Sequence, residues 1–121
     1  MSAADYLGTY AEGWTKGDAS TILKAVSDDY TFDDPNAGKI GKSHFAEYLS
    51  KLKDGVRSAR GSLPDPFMEL SEVVTQESDG VLTAWCWWEV PGTPVRGSGL
   101  IKVGANGVRS EVITYYAKPA E

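Results

Sequence analysis

The sequence has one cysteine, one histidine and two methionines in 121 residues. A single thiol, Cys86, excludes an intramolecular disulfide framework and a cysteine-rich zinc site. A single imidazole, His44, excludes HExxH and every other metal site built on several histidines. Apolar runs last only a few residues, far short of the ~20 that a membrane helix requires. Basic residues are in the minority, 12 Lys and Arg against 17 Asp and Glu, which argues against nucleic acid as a partner. The opening Met1-Ser2-Ala3-Ala4-Asp5 has neither the basic nor the apolar stretch of a secretory signal. The expectation is a cytoplasmic domain that takes no metal or cofactor and binds neither nucleic acid nor membrane.

What is present suffices for one core. With 41% hydrophobic residues the chain is too apolar to be disordered, and its length suits a single domain over residues 1–121. Ser2 and Asp5 have the spacing of a capping box. Leu7, Tyr10, Ala11 and Trp14 then recur at helical period, and Lys16-Gly17 marks the end. Asp18 starts a short second helix with Ile22, Leu23 and Val26. Ser27-Asp28-Asp29 reads as a turn, Tyr30 to Asp34 as a short strand stopped by Pro35. Ser43 is placed to cap a third helix striped with Phe45, Tyr48, Leu49 and Leu52 and closed by Gly55.

Gly55 to Pro66 reads as a loop, a candidate lid or rim, in which Arg57 and Arg60 are solvated or contact an anion at a mouth. Four strands follow, at 67–76, 81–90, 95–103 and 108–116. Asp79-Gly80, Pro91 to Pro94 and Asn106-Gly107 are hairpin signals between them, so the sheet is expected to be an antiparallel meander. Helices first and strands last indicate α+β rather than α/β.

Alternation then assigns faces. Leu82, Ala84, Cys86, Trp88 and Val90 form an apolar row, and Gly97, Gly99, Ile101 and Val103 share a face in the next strand. In the last strand Val112, Thr114 and Tyr116 are taken as the inward row, opposed to Glu111, Ile113 and Tyr115. Trp85, Trp87, Ile113 and Tyr115 are then left outside, a patch large enough to suggest a homodimer interface. Glycines within a strand mark a bend or a close approach, and leave room inside. His44, beside a helix start, is expected in solvent, and Cys86 as an inert buried thiol.

If Tyr30 and Phe32 face the core, so does Asp34. A carboxyl in apolar surroundings has its pKa raised by desolvation and can act as a general base, although Asp-Pro at a strand end is also an ordinary turn. Tyr10, on the buried helix stripe, is either a core tyrosine or a donor facing the same cavity.

The run Tyr10-Ala11-Glu12-Gly13-Trp14-Thr15-Lys16-Gly17-Asp18, followed by Ser27-Asp28-Asp29-Tyr30-Thr31-Phe32-Asp33-Asp34-Pro35, resembles the ketosteroid isomerase and SnoaL-like branch of the nuclear transport factor two-like superfamily. The resemblance covers essentially the whole chain. It implies a cone-shaped curved antiparallel sheet packed on three N-terminal helices, a cystatin-like α+β barrel. It also implies that Asp34 shuttles the proton and Tyr10 donates to the oxyanion. The family's second oxyanion acid falls at or near Gly99, so a full-strength steroid isomerase is not expected. The two histidines of a scytalone-dehydratase-like site are missing, and Arg96 lacks the acid pair of a limonene-epoxide-hydrolase-like one. SnoaL-type cyclases use an inward acid near the chain end, where Val112, Thr114 and Tyr116 are expected instead.

The pocket is expected between sheet and helices, lined by Tyr10, Trp14, Tyr30, Phe32, Asp34, Met68, Ala84, Cys86, Trp88, Gly99, Val112, Thr114 and Tyr116. Such a lining suits a hydrophobic small molecule. Three functions stay open: an isomerase-type enzyme moving a proton alpha to a carbonyl, a non-catalytic ligand-binding module, and a dimeric interaction domain with a vestigial pocket.

Overall fold

The computed structural model describes residues 1–116. Helix α1 spans Ala3–Lys16. Its capping box is formed: the Ser2 hydroxyl accepts from the Asp5 N–H at 3.1 Å, and the Asp5 carboxylate accepts from the Ser2 N–H at 2.9 Å. Gly17, at φ 68°, takes the left-handed conformation that ends it. Helix α2, Ala19–Lys24, starts at Asp18, whose side chain accepts from the Ser20 N–H. Val26 belongs not to this helix but to strand β1, Val26–Asp34, so Ser27-Asp28-Asp29 is strand and not a turn.

A short strand β2, Gly38–Gly41, pairs back on β1, where the sequence suggests only a loop. A 3-10 turn at Lys42–His44 leads into α3, Phe45–Arg60. Ser43 caps neither element. Helix α3 also runs through Gly55, because that residue sits on the exposed face and costs only about 1 kcal/mol of propensity. The stripe of Phe45, Leu49 and Val56 continues past it, fully buried, each side chain contributing roughly 1.5–3 kcal/mol. Gly61, at φ 91°, ends α3. Arg57 and Arg60 therefore lie on its last turn, exposed, rather than on a long loop. Strands β3 (Glu69–Ser78), β4 (Val81–Glu89), β5 (Arg96–Gly104) and β6 (Gly107–Tyr115) follow.

Among the described residues the sheet is six-stranded, in the order β2-β1-β6-β5-β4-β3. Strands β3 to β6 form the expected antiparallel meander. The whole sheet is mixed, because β1 lies parallel to β6. No tight turn announces a parallel pairing, which is why alternation and turn signals miss it. The architecture is α+β, a curved sheet with its helices gathered on one face. Leu82, Ala84, Cys86 and Trp88 of β4 are buried against them, and Val90 just beyond the strand is buried too.

The last hairpin turns one residue earlier than Asn106-Gly107. Gly104 pairs with Gly107, so Ala105 and Asn106 form the turn. One strand position further in, Val103 pairs with Val108 but Lys102 with Ser110, leaving Arg109 as an extra bulged residue. Beyond the bulge Ile101 faces Glu111, Gly99 faces Ile113 and Gly97 faces Tyr115. A one-residue slip reverses every side chain of a strand. Glu111, Ile113 and Tyr115 therefore point inward, and Val112, Thr114 and Tyr116 lie on the outer face, exposed.

The outer face changes accordingly. Ile113 and Tyr115 leave the expected interface patch, while Trp85 and Trp87 stay. Val74, Trp85, Leu100 and Val112 are successive partners across four strands, forming one apolar row. Val74 is 60%, Leu100 41% and Val112 47% exposed. Trp87 packs beside this row on Trp85 and Tyr116.

Candidate functional site

Helices α1 and α3 and the inner face of β3 to β6 enclose a cavity whose walls are almost wholly apolar. It is narrow: about 40 Å³ is open to the centres of water molecules, room for roughly three. Glu111 stands in this wall, 6% exposed. Its position follows from the two glycines of β5. A side chain on Gly99 would collide with Glu111 Oε2, and one on Gly97 would come within 2.6 Å of the Trp88 ring. The room those glycines leave is thus filled by a carboxyl and an indole from the neighbouring strands.

Glu111 Oε1 accepts from the Tyr10 hydroxyl at 2.6 Å, and the Tyr10 and Tyr30 hydroxyls lie 2.7 Å apart. Burial pushes the Glu111 pKa up to about 7, against a smaller lowering by the Tyr10 hydrogen bond. Tyr10 and Tyr30 are raised well above the ordinary phenol range, first by burial and then by the Glu111 charge. Near neutrality Glu111 is therefore divided between acid and carboxylate while both phenols keep their protons. Cys86, also in the wall, is pushed up to about 12 by burial and by Glu111, and stays a thiol.

Asp34 is buried, 3% exposed, but it is absent from the cavity wall and does not meet Tyr10. Its Oδ2 accepts from the hydroxyls of Tyr48 at 2.6 Å and Tyr115 at 2.9 Å, and its Oδ1 accepts from the Asn36 N–H at 2.8 Å. Both of these phenols line the cavity. Burial and the bond to Asp34 raise Tyr48, and push Tyr115 up to about 12. The expected pairing of Tyr10 with Asp34 is thus replaced by two clusters, Tyr30–Tyr10–Glu111 and Tyr48–Asp34–Tyr115.

Of the other expected lining residues, Trp14, Phe32, Met68, Cys86 and Trp88 do border the cavity. Tyr30 is buried behind Tyr10, Ala84 is buried outside the lining, and Gly99 lies behind the Glu111 carboxyl. Val112, Thr114 and Tyr116 do not contribute, for the register reason given above. Among the lining residues missed are Glu111, Ile113, Tyr48 and Tyr115. A signal for Glu111 exists in the sequence: two glycines on an inward row require bulk from the next strand, and inverting β6 supplies Glu111, Ile113 and Tyr115. His44 is exposed beside Ser43, away from the cavity.

Among the described residues, no group of three or more His, Cys, Asp or Glu is placed to hold a metal ion. No helix among them is long and apolar enough to cross a membrane.

The SnoaL-like domain family model matches residues 7–118. No curated protein sequence matches the chain. Solved structures share the fold at low identity. A candidate polyketide cyclase from Xanthomonas campestris pv. campestris is 17% identical with a TM-score of 0.65, over 94% of this chain and 90% of that one. An NTF2-like protein from Anabaena variabilis is 14% identical with a TM-score of 0.68, over 96% and 87%. TerC, co-crystallised with polyporic acid, is 15% identical with a TM-score of 0.66, over 94% and 91%.

Proposed function

Since the chain belongs to the SnoaL-like domain family, we propose that its cavity takes a small hydrophobic cyclic carbonyl compound and that Glu111 moves a proton alpha to that carbonyl. The observation that carries this reading is a carboxyl in an apolar cavity with its pKa pushed up to about 7. An acid–base group works best when its pKa lies near the working pH. Glu111 as carboxylate takes the alpha proton: the C–H bond breaks, an O–H bond forms, and the electron pair passes into an enolate. Glu111 as acid then returns the proton to another carbon.

Tyr10 sets the proton affinity of Glu111 through its hydrogen bond, with Tyr30 behind it. Asp34, in this reading, is not the base. Three donors already occupy its oxygens, and its part is to pin Tyr48 and Tyr115 in the cavity wall. The acid that the family resemblance places near Gly99 has its counterpart in Glu111, reaching the same space from β6. Neighbours described as a candidate polyketide cyclase and as a protein co-crystallised with polyporic acid support a cyclic organic ligand. A ring does not enter a 40 Å³ cavity unaided, so binding requires lining side chains to swing, the unbranched Met68 among them.

The test is hydrogen exchange in D2O across a panel of one- and two-ring ketones. At least one ketone is expected to exchange its alpha hydrogens faster with the protein than without, and Glu111→Gln is expected to abolish the gain. Asp34→Asn is expected to keep it. Ketones that bind without exchange would make the chain a binding module. Exchange that survives Glu111→Gln would remove Glu111 from the mechanism.

Two copies of the chain, we also propose, pair across the outer sheet face. The apolar row through Trp85, Leu100 and Val112 is flanked on one side by a polar row of Thr83, Lys102 and Ser110, and on the other by Trp87, Ser98 and Thr114. Glu69, Glu89 and Arg96 follow beyond, so two copies laid face to face share an apolar centre with a polar rim.

A further inference from the structure

The donors around the cavity are not equal. The Tyr10 hydroxyl is committed to Glu111, and those of Tyr48 and Tyr115 to Asp34. Two indole N–H groups remain. Trp14 is 5% exposed and Trp88 6%, and the Nε1 of each is buried with no hydrogen-bond partner among the described residues. Both rings border the cavity, Trp14 from α1 and Trp88 from β4 across from it. A buried donor left without an acceptor is costly, and a phenylalanine would supply a similar flat apolar surface without that cost. The same side chains that lack an acceptor are thus those a ligand would touch.

Packing holds both rings. Trp14 lies against Phe32 and Phe45, with centroids 5.5 Å and 5.7 Å away. Trp88 lies against Tyr115 at 5.6 Å and occupies the gap left by Gly97. Donors held in place need no reorganisation when a ligand oxygen arrives, which is the condition for stabilising charge that develops on it.

We propose that the indole N–H groups of Trp14 and Trp88 are the hydrogen-bond donors that hold a ligand in this cavity, which selects a flat hydrophobic ring compound bearing two acceptor oxygens. This rests on the reading of the cavity as a site for a cyclic carbonyl compound. It gives the enolate oxygen a donor that Tyr10, bound to Glu111, does not supply. One indole holds the reacting carbonyl and the other fixes the ring through its second oxygen.

The experiment is binding rather than turnover, so it stands apart from the role of Glu111. Three bicyclic probes of one outline differ in acceptors: chroman-4-one with two, 1-tetralone with one and tetralin with none. The protein is labelled with nitrogen-15 in its four tryptophans, and each indole N–H signal is assigned by a Trp→Phe variant. Chroman-4-one is expected to move the Trp14 and Trp88 indole signals downfield and to leave those of Trp85 and Trp87, on the outer face, in place. Tetralin is expected to produce no such downfield shift. Trp14→Phe and Trp88→Phe are each expected to weaken chroman-4-one about three- to tenfold while leaving tetralin unchanged.

Tetralin binding as tightly as chroman-4-one, with the two indole signals unmoved by either, would overturn the donor assignment and leave the cavity as a site. Failure of all three probes to bind would overturn the cyclic-ligand reading and the donor assignment together. The wild-type signals decide the matter even if one variant does not fold.

Discussion

Replacing Glu111 by glutamine removes a group that is expensive to ionise where it stands. Burial raises its pKa from 4.5 to about 7, so the folded chain holds this proton more tightly than the unfolded chain does. Its contribution to stability is complete below the unfolded value and is lost as pH rises through the folded one. Working the linkage between those two values, acidification from pH 8 to pH 5 stabilises the wild-type fold by roughly 2–3 kcal/mol through Glu111 alone. The exposed carboxylates Asp5, Asp18 and Asp29 are lowered by hydrogen bonds from Ser2, from Thr21 and Ser20, and from Ser27 respectively. They lend support above their unfolded values and lose it only below that window. The assay is urea unfolding followed by tryptophan fluorescence at fixed protein concentration between pH 5 and pH 8. Wild type is expected to gain stability toward pH 5, and Glu111→Gln to lose most of that slope. A wild type equally stable or more stable at pH 8, or a glutamine variant with the same slope, would refute the reasoning.

Tyr10→Phe removes the hydrogen bond that holds the Glu111 pKa down, so the pH midpoint of ketone exchange is expected to move upward, which a pH–rate profile reads. Gly97→Ala would drive a methyl into the Thr114 carbonyl of the adjacent strand, and Gly99→Ala into the movable end of Glu111. The first is expected to cost about 3 kcal/mol or more and the second about 1–2, and equal losses in thermal unfolding would contradict these placements. Leu100→Glu puts a charge in the middle of the outer apolar row and is expected to halve the mass in solution by light scattering, whereas a monomeric wild type would remove the paired-sheet proposal.

Local chemistry written in neighbouring residues was legible. The Ser2–Asp5 box, the stripe through Tyr10 and Trp14 and the alternation from Leu82 to Val90 are short-range patterns, and each reads directly as structure. Asp34 is legible in the same way, since Tyr30 and Phe32 carry it inward by parity. What escaped depends on partners distant in sequence. β2 is four residues on a sheet edge, too short for a period, and β1 meets β6 with no turn between them. Helix α3 continues past Gly55 because Val56 has a buried place to go, which propensity does not contain.

The facing of β6 turns on one residue. Asn106-Gly107 is the stronger turn signal, but the chain turns at Ala105-Asn106 and then adds Arg109 as a bulge, and the net offset inverts β6. That inversion hid Glu111 behind Val112 and sent Tyr115 to the wrong face. The glycines of β5 held the compensating information, because room opened opposite a strand has to be filled from it. Asp34, read alone, gave a buried acid without revealing that Tyr48 and Tyr115 would claim its oxygens.

A carbon-13 NMR titration of the side-chain carboxyls, on protein labelled at the glutamate δ position, bears most directly on the central role given to Glu111. One signal, missing from Glu111→Gln, is expected to titrate with a midpoint near 7 and to move higher in Tyr10→Phe. If every glutamate signal instead titrates in the ordinary range around 4.3, no carboxyl in this cavity is poised to carry a proton near neutrality.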